Sequence, residues 1–285
     1  MDKMFIARYG RGESRRQGGS RLFRLFVALL VILLLAAGAL AAAVELYPPQ
    51  GMLILEYHKV NDRTTDDYTV STKDFAEQMD ALQADGYTTV SVLDFLRAKK
   101  GKQKLPEKPV VVSFDDGYSD NYTEALPILE ERGMKATVFM VTNDVGLPGY
   151  LSWDQLHEME KRGVELGSHT ANHLPLTNMT VEEARDEVQK SKLMMEWKGL
   201  KTIFVLSYPN GQYDKYLPDI LKEEEYLAAV TGDPGLNTFQ TNPYLLHRIN
   251  VPPPHFGVSE FRLRVWKAKA AALLGLWHNV GDLKS

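Results

Sequence analysis

The amino-acid sequence predicts an α/β fold in which parallel strands form a (β/α) barrel, preceded by one apolar N-terminal helix. Strand-like and helix-like patterns alternate from residue 52 to residue 231, and a glycine directly follows several of the predicted helices. An uncharged stretch of 20 residues precedes this region. Helix, glycine and strand in repeated order are typical of parallel strands joined by right-handed crossovers. About seven such units favour a barrel over an open sheet, although periodicity alone does not distinguish the two.

Residues 25–44 form the first predicted element, a transmembrane helix. They carry no charge, and at about 1.5 Å per residue such a helix spans a hydrocarbon core of roughly 30 Å. Residues 1–24 contain seven basic and two acidic side chains. The positive-inside rule therefore predicts a basic cytoplasmic segment followed by an extracellular domain from residue 45 onward. The alternative is a signal peptide cleaved near residues 39–41, which would secrete the domain. The run is longer than the about 7 to 15 apolar residues usual in signal peptides, which favours a single-pass anchor in the lipid bilayer.

Composition limits the partners and ligands of the chain. Its 285 residues are 44 % hydrophobic, which suits one large domain or two small ones and is ample material for a core. The net charge of -4 gives no reason to expect a nucleic-acid partner. Cysteine is absent, so disulfides and thiolate chemistry are excluded. Any metal ion must therefore be held by histidine and carboxylate side chains.

The later elements follow in order from residue patterns. Runs of apolar residues predict strands at 52–57, 87–92, 109–114, 136–141, 163–168, 202–208 and 226–231. Helical patterns are found at 73–85, 120–132, 153–162, 181–198 and 213–225, and at 258–278 within a C-terminal segment 257–285. Ser152 with Gln155 and Thr180 with Glu183 have the spacing of capping boxes. Four of the helices end at a glycine, which readily adopts the left-handed conformation that follows a helix.

The strand 109–114 ends in two adjacent carboxylates, Asp115 and Asp116. Its valine-rich run is typical of a strand buried on both faces, and like charges at the end of such a strand repel each other. A turn, a helix N-cap or a bound cation would each explain the pair. In parallel α/β folds the C-terminal ends of strands are where functional groups converge.

His169 and His173 follow the predicted strand 163–168. Their spacing is that of two imidazoles one helical turn apart, able to bind one cation. Such a pair by itself is usually a surface or capping feature. Together with a strand-end carboxylate it supplies three protein ligands and leaves open positions for water and substrate, the pattern of a catalytic metal site. A cation there would also relieve the repulsion between the two aspartates.

Two further strand ends and one other segment carry polar groups. Residues 207–211, Ser-Tyr-Pro-Asn-Gly, form a turn that can also present a backbone N–H to an oxyanion. His58 follows the first strand, and this position favours a catalytic role, although a lone histidine is more often structural. His247 and Arg248 lie in a segment of unclear secondary structure.

Two stretches, SFDDGYSDNY (113–122) and GSHTANH (167–173), together resemble motifs of the polysaccharide deacetylase family, the carbohydrate esterases that share the NodB homology domain. The resemblance implies a distorted (β/α) barrel of about seven strands, within a domain at 45–256. It implies that Asp115 is the general base. It also implies the metal ligands, which are Asp116, His169 and His173.

The third family motif, Arg-x-Pro-Tyr-Gly, is matched only in part. Ser207 stands in place of the arginine and Asn210 in place of the tyrosine. The resemblance implies that Asn210 donates its backbone N–H to the oxyanion and that Tyr208 and Arg248 belong to the substrate-binding residues. Since the family's arginine orients the base, Arg248 is the candidate replacement for it.

The departures from the family pattern resemble one branch, which de-N-acetylates poly-N-acetylglucosamine in biofilms. That branch has an early Tyr-His, here Tyr57 and His58, and a late Arg-x-x-Val, here beginning at Arg248. In it the early histidine is the general acid, so we expect His58 in that role. The competing candidate is His247, whose Leu-x-His context matches the position of the acid in most of the family.

The function implied is metal-dependent hydrolysis of N-acetyl groups on an extracellular polysaccharide that contains N-acetylglucosamine. The expected cofactor is Zn²⁺, with Co²⁺ or Ni²⁺ as alternatives, because imidazole and carboxylate ligands accept several divalent ions. The expected partners are the acetylated glycan and, through the N-terminal helix, the bilayer. Two alternatives remain, an esterase that removes O-acetyl groups from cell-wall glycan and an inactive deacetylase-like module that binds glycan.

Overall fold

The protein, described by a computed structural model over residues 17–201 and 203–276, divides into two units, Met1–Pro48 and Pro49–Ser285. Most of the basic segment predicted at 1–24 and the end of the predicted C-terminal helix lie outside the described residues. The first unit contains helix α1 (Gln17–Leu46). Within it, Arg21–Leu46 contains an 18-residue window with a mean hydropathy of 2.9 and is long and apolar enough to cross a membrane, a criterion that a signal sequence also meets.

The second unit alternates strands and helices in the predicted order. Its strands in the described part of the chain are β1 (Leu53–Tyr57), β2 (Lys59–Val60), β3 (Thr69–Val70), β4 (Thr88–Thr89), β5 (Pro109–Phe114), β6 (Thr137–Met140), β7 (Glu165–Ser168), β8 (Val205–Ser207), β9 (Ala228–Val230) and β10 (Ile249–Asn250). The helices are α2 (Thr72–Ala84), α3 (Val92–Lys99), α4 (Leu126–Glu130), α5 (Trp153–Lys161), α6 (Val181–Trp197), α7 (Leu217–Glu223) and α8 (Val258–Leu273). A π-helical turn, Asn121–Ala125, leads into α4.

The central sheet is parallel, with strand order β10-β1-β5-β6-β7-β8-β9 and β4 paired to β5. The two ends of this order approach each other through one short segment. Leu246 bridges Val230 of β9 in parallel, and Ile249 of β10 pairs with Leu55 of β1. The predicted distorted (β/α) barrel of about seven parallel strands is therefore confirmed.

Strand β5 is buried on both faces, as its valine-rich sequence predicts. Val111 packs with Ile54 and Phe139 of the neighbouring strands, whereas Val112 belongs to the larger cluster that includes residues of the surrounding helices. Successive strand side chains point to opposite faces. Asp115 therefore continues the row of Val111, which faces the inside of the barrel.

The strand predicted at 87–92 is the element that departs most from its prediction. Only β4 is extended, because Ser91 and Asp94 form a capping box that starts α3 immediately afterward. Helix α3 was not predicted, since its box uses aspartate at the third position and its helix is only 8 residues long. The boxes predicted at Ser152 and Thr180 are both present.

Two predicted helices are shorter in the structure. The pattern 213–225 becomes helical only at α7, because the carboxylate of Asp214 accepts the backbone N–H groups of Tyr216 and Leu217. This local turn delays the start of the helix. The terminal pattern 258–278 ends as a helix at Leu273.

Candidate active site

The C-terminal ends of the barrel strands surround a cavity of about 320 Å³. Six of the eight predicted site residues line it: His58, Asp115, Asp116, His169, His173 and Asn210. The other two, Tyr208 and Arg248, lie behind its wall and are almost fully buried. Convergence at this end of the barrel is what parallel strand topology predicts.

Asp116, His169 and His173 form a group whose ligand atoms all lie within 4.8 Å of one another. The Oδ1 atom of Asp116 lies 3.6 Å from Nε2 of His169 and 3.5 Å from Nε2 of His173. Two donor atoms that each bind one zinc ion at about 2.1 Å in tetrahedral geometry lie roughly 3.4 Å apart. The three side chains therefore fit a single divalent cation and leave positions for water and substrate.

Left-handed backbone positions bring these ligands together. Asp116 has φ 69° and His173 has φ 56°. The segment after β7 is irregular, so the prediction that one helical turn aligns His169 with His173 is wrong, although their ring centroids lie only 4.6 Å apart. Gly117 has φ 77°, and a Cβ atom there would clash with the side chain of Met140. The turn that aims Asp116 into the cavity therefore requires a glycine at that position.

His169 is oriented by one hydrogen bond and by burial. Its Nδ1 atom lies 2.8 Å from the carbonyl oxygen of Ser207, so Nδ1 carries the proton and Nε2 faces Asp116 with its lone pair. Burial lowers the pKa of His169, against the opposing effect of Asp115 and Asp116. The neutral imidazole that results is the form that binds a metal ion.

Asp115 is held by two hydrogen bonds inside the barrel. Its Oδ1 accepts a bond of 2.8 Å from Nη1 of Arg248, and its Oδ2 accepts a bond of 2.9 Å from Oγ of Ser207. Burial raises the pKa of Asp115, but the Arg248 guanidinium and then His169 outweigh it, and the net pKa lies well below the ordinary value. The carboxylate is therefore ionised and fixed in orientation.

Arg248 contacts this carboxylate from the segment that closes the barrel. Its Nε atom donates to the carbonyl of Thr231 at 2.9 Å and lies 3.4 Å from Oε2 of Glu56. Although burial lowers the pKa of Arg248, Asp115 and Glu56 raise it above the ordinary value. Arg248 thus contacts Asp115, the carboxylate that it was predicted to orient. It has 1 % exposure, so a direct substrate contact is not available to it.

Ser207 is a functional candidate that sequence reasoning treated only as a missing arginine. Its hydroxyl donates to Asp115 while its carbonyl accepts from His169, so one residue holds both the candidate base and a candidate metal ligand. The sequence did contain a signal for this role. Ser207 is a polar residue at the end of a buried strand, and a buried hydroxyl needs a hydrogen-bond partner. Which partner it takes depends on strands distant in sequence.

His58 faces the cavity from just beyond the end of β1, beside two residues that sequence reasoning missed. Its ring centroid lies 5.0 Å from that of Tyr68, and its Nε2 lies 4.0 Å from Oε1 of Glu56. Burial raises the pKa of Glu56, while Arg248 opposes that shift. Glu56 could have been found, since it is the one charged residue in the otherwise uncharged strand Leu53–Tyr57.

His247 occupies a different place. Its backbone N–H donates to Oδ1 of Asn237 at 2.8 Å, and its ring packs against Gly235, where an added Cβ would lie 2.7 Å from the ring. Among the residues that the structure describes, the lining of the cavity includes His58 and does not include His247. Only His58 of the two histidines therefore borders the cation group.

Asn210 and Tyr208 both follow β8, but Asn210 lines the cavity and Tyr208 is buried. Asn210 lines the cavity and has φ 56°, a left-handed conformation that asparagine tolerates. Gly211 follows it in close contact with the backbone of Gly232, where a side chain would not fit. Tyr208 has 0 % exposure and its ring packs 5.8 Å from that of Tyr213. The predicted substrate contact of the Tyr208 side chain is therefore not available, because the phenol belongs to the core.

Comparisons with known proteins agree on the family and the fold of the chain. A family model described as polysaccharide deacetylase matches residues 102–229. YxkH of Bacillus subtilis (strain 168), which its name assigns to the polysaccharide deacetylases, is 32% identical over 213 residues, covering 75% of this chain and 76% of YxkH. A poly-beta-1,6-N-acetyl-D-glucosamine N-deacetylase of Staphylococcus aureus (strain MSSA476) is 26% identical, covering 74% of this chain and 82% of that protein. The structure of IcaB from Ammonifex degensii aligns with a TM-score of 0.67 at 25% identity, covering 76% of this chain and 97% of IcaB.

Proposed function

This chain belongs to the polysaccharide deacetylase family, and we propose on that premise that it removes N-acetyl groups from a polysaccharide containing N-acetylglucosamine. The observation that carries the proposal is the position of Asp115, whose Oδ2 lies 3.6 Å from Nε2 of His169 in the candidate metal group. A buried carboxylate beside three metal ligands is the arrangement expected for metal-assisted hydrolysis. The name of the Staphylococcus aureus relative supports the choice of polymer.

The expected ion is Zn²⁺, which two imidazoles and one carboxylate suit. Co²⁺ and Ni²⁺ are alternatives, because the same ligands also accept them. A divalent cation in this group would polarise the acetyl carbonyl and lower the pKa of a water molecule toward about 7. Asp115 accepts the proton of the attacking water. Before that transfer, Arg248 and Ser207 hold the carboxylate ionised and fixed in orientation.

Asn210 and His58, which both line the cavity, complete the mechanism. The backbone N–H of Asn210 donates to the oxygen of the acetyl group as negative charge develops on it. His58 gives a proton to the departing amine, without which an amide bond does not cleave readily. The position of His58 on the cavity, and that of His247 away from it, support this assignment.

The same site chemistry would also serve an O-acetyl esterase, and this remains the second candidate. The inactive glycan-binding module was suggested only by the incomplete third motif. Two hydrogen bonds to Asp115 compensate for that departure, which supports an active enzyme. We also propose that α1 anchors the enzyme in the cell membrane with the catalytic domain outside, supported by its hydropathy and the basic residues before it.

One experiment tests these functions together. Acetate release is measured from matched N-acetylated and O-acetylated glycan oligomers, with and without a chelator. We expect release from the N-acetylated oligomer that chelation abolishes and divalent metal restores. Release only from the O-acetylated oligomer would identify an esterase, and no release from either after metal loading would identify a binding module.

A further inference from the structure

Tyr68 presents an exposed ring beside the histidine to which we assign the general acid. It is 58% exposed, it lines the catalytic cavity, and its ring is tilted by 57° against that of His58. We propose that Tyr68 is the stacking platform for the sugar ring that bears the acetamide group, and that it thereby selects a glycan as substrate. This inference rests on the proposed function.

The chemistry of amide cleavage determines where that sugar ring lies. A general acid acts within about 2.6 to 3.2 Å of the atom that it protonates. In an N-acetylated sugar this nitrogen is bonded directly to a ring carbon, so the sugar ring must lie next to His58. The Tyr68 ring, with its centroid 5.0 Å from that of His58, is the neighbouring exposed surface. The C–H face of a sugar packs on an aromatic ring at ordinary van der Waals distances, about 3.5 to 4 Å.

The loop that carries Tyr68 is held in place by its own hydrogen bonds. Asp66 accepts the backbone N–H of Tyr68 at 3.0 Å and the ammonium of Lys59 at 2.9 Å. The carbonyl of Tyr68 accepts the backbone N–H of Lys59 at 3.1 Å. Asn61 donates to Asp120 at 2.6 Å and so ties the start of the loop to the segment that follows β5. A loop whose backbone is already held in place loses little conformational entropy when a ligand packs on it.

Tyr118 is the other tyrosine among the described residues that line the cavity. Its surroundings explain why we assign the platform to Tyr68. The Tyr118 ring is stacked on that of Tyr150, with centroids 5.2 Å apart and an interplanar angle of 23°. The ammonium of Lys59 also lies over the Tyr118 ring, 4.8 Å from its centroid. Tyr118 therefore already has packing partners, whereas more than half of the Tyr68 side chain is exposed to solvent.

The kinetic test compares three variants of the full-length, metal-loaded enzyme on an N-acetylglucosamine oligomer. We expect Tyr68→Ala to raise KM about tenfold while kcat stays within about twofold, because the aromatic contact is lost and the catalytic groups are kept. Tyr68→Phe should retain the KM of the unchanged enzyme, since the ring makes the contact and not the hydroxyl. Tyr216, 55% exposed beside the start of α7, provides the matched control, and Tyr216→Ala should not change KM.

Calorimetric binding provides a readout without turnover. In an Asp115→Asn background, adding Tyr68→Ala should raise Kd for the same oligomer about tenfold, and adding Tyr68→Phe should not. Unchanged KM and Kd for Tyr68→Ala would overturn the inference and leave the proposed function standing. Absence of acetate release by the unchanged enzyme would overturn the proposed function, while the calorimetric comparison still decides the role of Tyr68.

Discussion

Arg248 donates a 2.8 Å hydrogen bond to Asp115 across 133 positions of the chain, and both side chains are nearly inaccessible to solvent. Asp115 follows β5, the strand that supplies the proposed base, while Arg248 directly precedes β10, the strand that closes the barrel against β1. This one contact therefore links the segment that closes the barrel to the proposed base. Removing one partner of such a buried pair leaves the other charge uncompensated, which typically costs about 3 to 5 kcal/mol.

The first prediction concerns this contact. Arg248→Gln removes the charge-assisted bond to Asp115, and we expect kcat to fall about 10²-fold with little change in KM, because a misplaced base impairs chemistry and not binding. Arg248→Lys should lose less, since it keeps the charge but not the planar fork. The matched control is Arg262→Gln, which breaks a surface pair with Asp85. Unchanged kcat in Arg248→Gln would contradict the proposed role.

The second prediction concerns the metal. The purified protein should contain about one divalent ion per chain, as expected for a three-ligand catalytic site. His169→Ala and His173→Ala should each lose both the ion and the activity. The partly buried His157, whose ring bonds to the carbonyl of Lys198, is the control, and His157→Ala should keep both. Elemental analysis measures the metal content of each variant, and acetate release measures its activity. Full activity after exhaustive chelation would rule the metal site out.

The third prediction distinguishes the two adjacent carboxylates. Asp115→Asn should retain the metal and lose turnover about 10² to 10⁴-fold, since it removes the general base. Asp116→Asn should instead weaken metal binding, because Oδ1 of Asp116 faces both histidines. Metal content and kcat are measured side by side. If the two phenotypes were exchanged, the assignment within the pair would be wrong although the site would stand.

The fourth prediction concerns the general acid. His58→Ala should reduce hydrolysis of an amide substrate strongly and hydrolysis of an activated aryl ester weakly, because the ester's leaving group needs little protonation. His247→Ala should show no such selectivity, since His247 packs against Gly235 away from the cavity lining. Rates on both substrates are compared in metal-loaded enzyme. A selective loss in His247→Ala, without one in His58→Ala, would reverse the assignment.

The fifth prediction concerns the N-terminal helix. The intact protein should sediment with membranes and resist extraction by high salt, because apolar burial and not charge holds a transmembrane helix. Detergent should release it. N-terminal sequencing of the mature protein provides the opposing outcome, since a start near Ala42 would mean that the helix is a cleaved signal.

Local sequence was sufficient for the fold class and for most elements. The run of valines before Asp115 predicted a strand buried on both faces, and the capping boxes at Ser152 and Thr180 predicted where α5 and α6 begin. These signals succeed because strand burial, helix caps and glycine turns are decided by residues within a few positions of one another. Where a competing local signal intervened, as with Asp94 at the start of α3, the prediction failed.

The sequence by itself also determined a set of polar residues that the fold brings together, since Asp115, Asp116, His169 and His173 all line one cavity. Only the tertiary structure decided how they are supported. The bond of Ser207 to Asp115, the burial of Tyr208 and the approach of Tyr68 to His58 join segments whose separation in the chain carries no periodic signal. The physical reason is that these contacts depend on how the strands twist and close into a barrel, and closure is a property of the whole sheet and not of any short stretch.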